Sequence, residues 1–139
     1  MPAKFLAIIA AAVAAWIFGA IYYGVFGKTW MRALGWSPTD MTRPDGKRAT
    51  PVLPLIVSFV AELVMAWVLA STIRHVYGAG DILMAPALKM ATTLWAGFVL
   101  PTVATNYAFQ KRRDLVFAID IVHWLGVMLI EGAVLALML

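Results

Sequence analysis

Four long apolar segments dominate the sequence and restrict the folds open to it. They cover residues 5–26, 52–73, 84–109 and 115–139. Each segment can cross a bilayer as a helix, because a spanning helix needs about 20 mostly apolar residues. The segments are apolar all round, unlike the one-sided helices of a water-soluble bundle. The sequence therefore predicts an all-α polytopic membrane protein, a four-transmembrane-helix bundle that forms a single membrane domain over residues 1–139.

The composition points to lipid as the solvent of these segments. Hydrophobic residues make up 63% of the chain and charged residues 13%, whereas soluble domains are nearer half apolar and a quarter charged. So few charges could not cover so much apolar surface in water. The net charge of +4 therefore indicates membrane lipids as partners and no nucleic acid. The chain has no cysteine, which excludes disulfides, thiolate metal sites and cysteine nucleophiles.

Lysine and arginine are distributed unevenly between the polar connections. The loop over residues 27–51 and the short loop before the fourth helix hold eight of them: Lys28, Arg32, Arg43, Lys47, Arg48, Lys111, Arg112 and Arg113. The other side holds three: Lys4, Arg74 and Lys89. Because cytoplasmic loops are enriched in Lys and Arg, we expect the basic loops to face the cytoplasm and both termini to face outward. The membrane is expected to be the inner membrane. The N-terminal apolar run is longer than that of a signal peptide, so we expect a retained first helix.

Two segments are predicted to depart from straight spanning helices. Residues 28–36 mix aromatic, apolar and basic side chains, a pattern typical of a short amphipathic helix in the membrane interface. Pro101 lies inside the third apolar segment. Proline removes a backbone hydrogen bond, so we expect a kink there.

Four ionisable side chains fall well inside the apolar segments. Glu62 lies near the middle of the second helix, and Asp120, His123 and Glu131 lie on the fourth. At 100° per residue, the three on the fourth helix share one face. An ionisable group that faces hydrocarbon costs several kcal/mol, so this face is expected to point into the bundle. Glu131 lies farther from the basic loops and is expected to make a separate contact.

Estimates of depth predict that five side chains converge. At about 1.5 Å per residue, Asn106 and Asp120 lie at similar depths on either side of the tight basic loop. Tyr23 approaches the level of Asp120 from the first helix, and Glu62 lies near the level of His123. The candidate site in the cytoplasmic half of the bundle therefore comprises five residues: Tyr23, Glu62, Asn106, Asp120 and His123.

Three functions remain open at this point. The leading hypothesis is a non-enzymatic membrane protein whose polar cluster binds or transports a proton, a cation or a small polar ligand. It would act as a homo-oligomer or as a subunit of a larger membrane complex, since so short a chain leaves little room for a complete transport pathway. The alternatives are a small membrane enzyme acting on a lipid, quinone or other apolar substrate, with His123 as base and Asp120 orienting it, and a purely structural subunit. No metal site and no cofactor are predicted, because the candidate ligands lack an established spacing.

Five short stretches resemble the DUF1761 family of small bacterial membrane proteins. They are WIFGAIYYG at residues 16–24, FGKTWMRALGW at 26–36, AELVMAWVLA at 61–70, the segment from Pro101 to Asn106, and IDIVH at 119–123. The resemblance extends over nearly the whole chain. It implies a four-helix membrane protein, and it implies no activity, because the function of the family is unknown.

Overall fold

The computed structural model describes residues 2–47, 49–78 and 80–139, and this part of the chain is helical with no strand. Four helices are long and apolar enough to cross a membrane, as predicted. They are α1 (Pro2–Ala33), α2 (Val52–Tyr77), a third span over Met84–Phe109, and α5 (Asp114–Met138). Arg48, which was assigned to the first basic loop, lies outside the described residues.

The first helix is longer than predicted. With 32 residues, α1 measures about 48 Å, against about 30 Å for the hydrocarbon core of a bilayer. The segment that was expected to form a separate interfacial helix instead continues α1 to Ala33. The helix ends in a Schellman motif, in which the amides of Gly35 and Trp36 bind the carbonyls of Arg32 and Met31, both at 3.0 Å. Gly35 adopts the positive φ of 77° that this motif requires.

A π-helical turn interrupts the third span just before Pro101, the residue at which a kink was predicted. The span consists of α3 (Met84–Leu94), the π-helical turn Trp95–Val99 and α4 (Leu100–Phe109). The amide of Leu100 binds the carbonyl of Trp95, five residues back. Pro101 follows directly and has no amide hydrogen, so the regular ladder cannot continue through it. The wider turn inserts one residue into the helix and shifts the register of α4 relative to α3.

The fourth spanning helix, α5, forms the centre of the bundle. It packs against every other spanning helix, with its largest interface to α1. Within the apolar 18-residue stretch of each span, 39% of the residues of α5 are buried but only 11% of those of the third span. Small residues allow the close approach: Ala7, Ala11 and Ala15 of α1 are fully buried, and a Cβ on Gly132 would lie 3.2 Å from the carbonyl oxygen of Ala87.

The two basic loops lie together at one end of the bundle, called here the basic end. Trp36 from the first loop and Lys111 from the second line the same cavity. At the opposite end, Lys4, Arg74 and Leu139 line a common cavity, so the two chain ends lie side by side. The bundle thus has the up-and-down arrangement that the sequence predicted, while its orientation across a membrane stays a prediction.

Candidate functional site

Of the four ionisable side chains that are buried in the described part of the chain, helix α5 carries three into the centre of the bundle. Asp120, His123 and Glu131 expose 5%, 6% and 0% of their surface, and Glu62 on α2 exposes 1%. Their common face on α5 points toward the other helices, whereas Val122 on the far side of α5 is 52% exposed. This direction avoids the cost of placing ionisable groups against hydrocarbon.

Two tyrosine hydroxyls bind the carboxylate of Asp120. Tyr23 on α1 donates to one oxygen and Tyr107 on α4 donates to the other, each at 2.5 Å. The guanidinium carbon of Arg112 lies 5.4 Å from the centre of the Tyr107 ring, within the range of a cation–π contact. Asp120 therefore joins three helices, and both of its oxygens have a donor.

Two further hydrogen bonds from neighbouring helices reach the backbone of α5 in the same region. The hydroxyl of Tyr22 donates to the carbonyl oxygen of Ile119 at 2.8 Å, and the indole nitrogen of Trp95 donates to that of Ile121 at 3.1 Å. Trp95 belongs to the π-helical turn. We call the side chains that surround Asp120 the aspartate cluster: Tyr22, Tyr23, Tyr107, Asp120 and His123.

His123 is held among aromatic rings in this cluster. Its imidazole stacks on Phe18 at 5.9 Å between ring centres with an interplanar angle of 7°, and lies 4.8 Å from the Tyr23 ring. The absence of a side chain on Gly19 makes room for it, since a Cβ there would lie 3.0 Å from its Nε2 atom. Its Nδ1 atom is buried without a hydrogen-bond partner. In the described part of the chain, no hydrogen bond joins His123 to Asp120.

Glu62 and Glu131 form a second polar site, called here the glutamate pair. Their carboxyl groups are close enough for the charge of one to act on the other. Both oxygens of Glu131 and the Oε2 atom of Glu62 are buried without a hydrogen-bond partner. Eight residues of α5 separate Glu131 from His123, about 12 Å along the helix axis, and the intervening Val127 and Met128 are buried apolar residues. The glutamate pair is therefore distinct from the aspartate cluster.

The structure brings together three of the five predicted site residues. Tyr23, Asp120 and His123 meet as expected. The side chain of Asn106 instead lies exposed on α4, and Tyr107 takes its place. The estimate of depth considered only the rise along the helix, whereas neighbouring residues also differ by 100° around it. Tyr107 could have been found from its position, one residue beyond Asn106 and at the same depth.

Glu62 lies deeper in the bundle than the sequence suggested. The indole of Trp16 donates a hydrogen bond to the carbonyl oxygen of Leu55 at 3.2 Å. Leu55 therefore lies about one turn of α1 farther from the basic end than Gly19, the residue that makes room for His123. The predicted depth of Glu62 requires that α2 starts level with the other helices. Because α2 is displaced along its axis, Glu62 lies at the level of Glu131 and not at the level of His123.

The comparison with known families gives one match. A family model described as "Protein of unknown function (DUF1761)" matches residues 6–136. The chain belongs to the DUF1761 family. The DUF1761 match extends into all four spans and includes both polar sites, so the predicted resemblance is confirmed. The family description names no activity. No curated protein and no solved structure matches the chain.

Proposed function

We propose that this DUF1761 protein is a non-enzymatic membrane protein that binds a proton at the glutamate pair, within the bilayer. The supporting observation is that Glu131 is fully buried with neither carboxyl oxygen hydrogen-bonded, beside the carboxyl group of Glu62. Two ionised carboxylates at such a place would repel each other and lack solvation. A proton on Glu131 removes the repulsion and the unsolvated charge of that residue, and a cation between the two carboxylates would balance their charges.

The aspartate cluster serves a different purpose in this proposal. Tyrosines from two other helices donate hydrogen bonds to both oxygens of Asp120. This favours a structural role, called here a clasp, in which Asp120 fixes how the helices pack. The hypothesis of a purely structural protein thus accounts for this cluster, but it does not account for the unbonded oxygens of Glu131. The enzyme hypothesis required Asp120 to orient His123, whereas the described residues show no hydrogen bond between them and leave the Nδ1 atom of His123 unpartnered.

Infrared spectroscopy of the purified protein tests the proposal directly, because a protonated carboxyl group absorbs apart from an ionised one. We expect a band from a protonated carboxyl group at neutral pH that is lost in Glu131→Gln. Asp81→Asn is the matched control, since Asp81 is exposed in the loop before the third span. Raising sodium or potassium at constant ionic strength should leave the band unchanged if the pair holds a proton and should weaken it if a cation competes.

The contradicting result is equally clear. If Glu131→Gln is folded by circular dichroism and the carboxyl region of the spectrum is the same as in the wild type, the glutamate pair binds no proton. The isosteric substitution keeps the size of the side chain, so loss of folding is not expected.

We further propose that the protein assembles through the outer face of the third span, as a homo-oligomer or within a larger complex. This span exposes an unusual number of polar residues for a membrane helix: Lys89, Thr92, Thr93, Thr102, Thr105 and Asn106. Polar side chains in membrane helices usually face other helices. Native mass spectrometry should show more than one copy for the wild type and a shift toward one copy for Thr102→Leu with Thr105→Leu. A single copy for the wild type, with no bound partner, would contradict assembly.

The membrane orientation is proposed from the basic end, which should face the cytoplasm. The absence of cysteine makes labelling unambiguous. In intact cells, an impermeant thiol reagent should modify Asp81→Cys and leave Thr50→Cys unmodified, whereas the reverse pattern would invert the topology. Fractionation of the same cells tests the inner-membrane location.

A further inference from the structure

A pocket with two cationic side chains lies beside the last turns of α1 at the basic end. Its volume is about 480 Å³, and its lining includes Lys28, Arg32, Trp36, Ser37 and Thr42. Lys28 and Arg32 are four residues apart on α1, so their side chains leave the helix on the same face. The pocket thus combines two positive charges, two hydroxyls and an indole ring.

The acids of the first basic loop make local hydrogen bonds and not ion pairs with the cations of this pocket. The carboxylate of Asp40 accepts the amide hydrogen of Ser37 at 2.5 Å and its hydroxyl at 3.1 Å. The carboxylate of Asp45 accepts the amide of Lys47 at 3.0 Å. Both acids of the loop are therefore engaged in local turns. Across residues 2–47, 49–78 and 80–139, no carboxylate forms an ion pair with the lysine or the arginine of the pocket.

A second cavity on the other side of Trp36 extends the positive surface. It measures about 610 Å³ and is lined by Lys111, Arg112 and Arg113. The Nε of Arg112 donates to the side chain of Gln110 at 2.6 Å. Five basic side chains thus surround one exposed indole, which concentrates positive potential at the basic end.

An apolar stripe leads from the pocket down the outer face of α1. Ile17, Ile21 and Val25 expose 50%, 63% and 69% of their surface. With Lys28 and Arg32 they follow a spacing of three and four residues, so all five lie along one face. The stripe ends at an apolar groove of about 550 Å³ between α1 and α2, lined by residues that include Val13, Trp16, Ile17, Leu55 and Phe59.

The geometry points to a binding site for one anionic phospholipid, with its phosphate between Lys28 and Arg32 and an acyl chain along the stripe into the groove. Eleven residues separate Ile17 from Lys28, about 16 Å along α1. This length matches the depth of one leaflet of hydrocarbon, about 15 Å. A cationic site at the headgroup level joined to an apolar groove at acyl-chain depth fits a lipid better than it fits a free anion.

Native mass spectrometry of the detergent-solubilised protein tests the assignment with three probes: phosphatidylglycerol, phosphatidylcholine and inorganic phosphate. We expect the wild type to retain phosphatidylglycerol in preference to phosphatidylcholine. Lys28→Gln with Arg32→Gln should weaken phosphatidylglycerol binding by about 30-fold, from about 1 kcal/mol for each cation at a membrane surface. The matched control is Arg43→Gln with Lys47→Gln, which removes the same charge from the same end outside the pocket.

A variant in the groove separates a lipid from a free anion. Ile17→Trp should reduce binding of phosphatidylglycerol while both cations of the pocket remain. Three results would each overturn the assignment. They are equal losses of phosphatidylglycerol binding in the two double variants that remove charge, no preference for phosphatidylglycerol over phosphatidylcholine, and full competition by inorganic phosphate at the same concentration. Circular dichroism verifies that every variant is folded, which we expect because all the substituted side chains are exposed.

Discussion

Removing either tyrosine hydroxyl that binds Asp120 should destabilise the bundle by an amount that depends on Asp120 itself. Tyr23→Phe and Tyr107→Phe each delete one 2.5 Å hydrogen bond and leave the ring in place. Hydrogen bonds between membrane helices contribute about 0.6 kcal/mol on average and up to about 1.7, and those to a charged group lie toward the upper end. We expect a loss of about 1 to 2 kcal/mol for each substitution.

The dependence on Asp120 is measured with a double-mutant cycle. In an Asp120→Asn background the acceptor is neutral, so Tyr23→Phe should cost only about 0.6 kcal/mol. The resulting coupling of about 1 kcal/mol isolates the bond between Tyr23 and the carboxylate. Tyr77→Phe, at an exposed tyrosine near the end of α2, is the matched control and should change stability by a few tenths of a kcal/mol.

The assay is reversible unfolding of the purified protein in mixed micelles with increasing denaturing detergent, followed by circular dichroism. The clasp interpretation would be refuted if Tyr23→Phe cost no more than Tyr77→Phe. It would also be refuted if the cost of Tyr23→Phe were the same with Asp and with Asn at position 120. Either result would mean that these short contacts do not hold the helices together.

Three further predictions use the same unfolding assay. Gly126→Ala would place a Cβ 2.5 Å from the Phe18 ring, whereas a Cβ in Gly24→Ala meets nothing within 4 Å. Because both substitutions gain equally in helix propensity, Gly126→Ala should be less stable than Gly24→Ala by about 2 kcal/mol. Equal stabilities of the two variants would refute the close packing of Gly126 against Phe18. Lys111→Gly should stabilise by roughly 0.5 to 1 kcal/mol, since Lys111 has a φ of 52°, and an equal gain in Lys111→Gln would attribute the effect to charge. Trp95→Phe should cost about 1 kcal/mol through its bond to the Ile121 carbonyl, against a negligible change for the exposed Trp67→Phe.

The sequence by itself determined the fold class and the face of α5 that carries the polar side chains. Apolar segments of this length and the rarity of charges leave a four-helix membrane bundle as the outcome. The spacing of Asp120, His123 and Glu131 fixed their common face, because helical periodicity is a local property of the chain. The energetic penalty for exposing them to lipid then fixed the direction of that face.

Only the tertiary structure decided which of these side chains meet. The axial displacement of α2 pairs Glu62 with Glu131, and the rotation of α4 after its π-helical turn presents Tyr107, and not Asn106, to Asp120. Both depend on how whole helices slide and turn against each other. Spacing along a single helix carries no information about these offsets, since they are set by side-chain packing between helices that are far apart in the sequence.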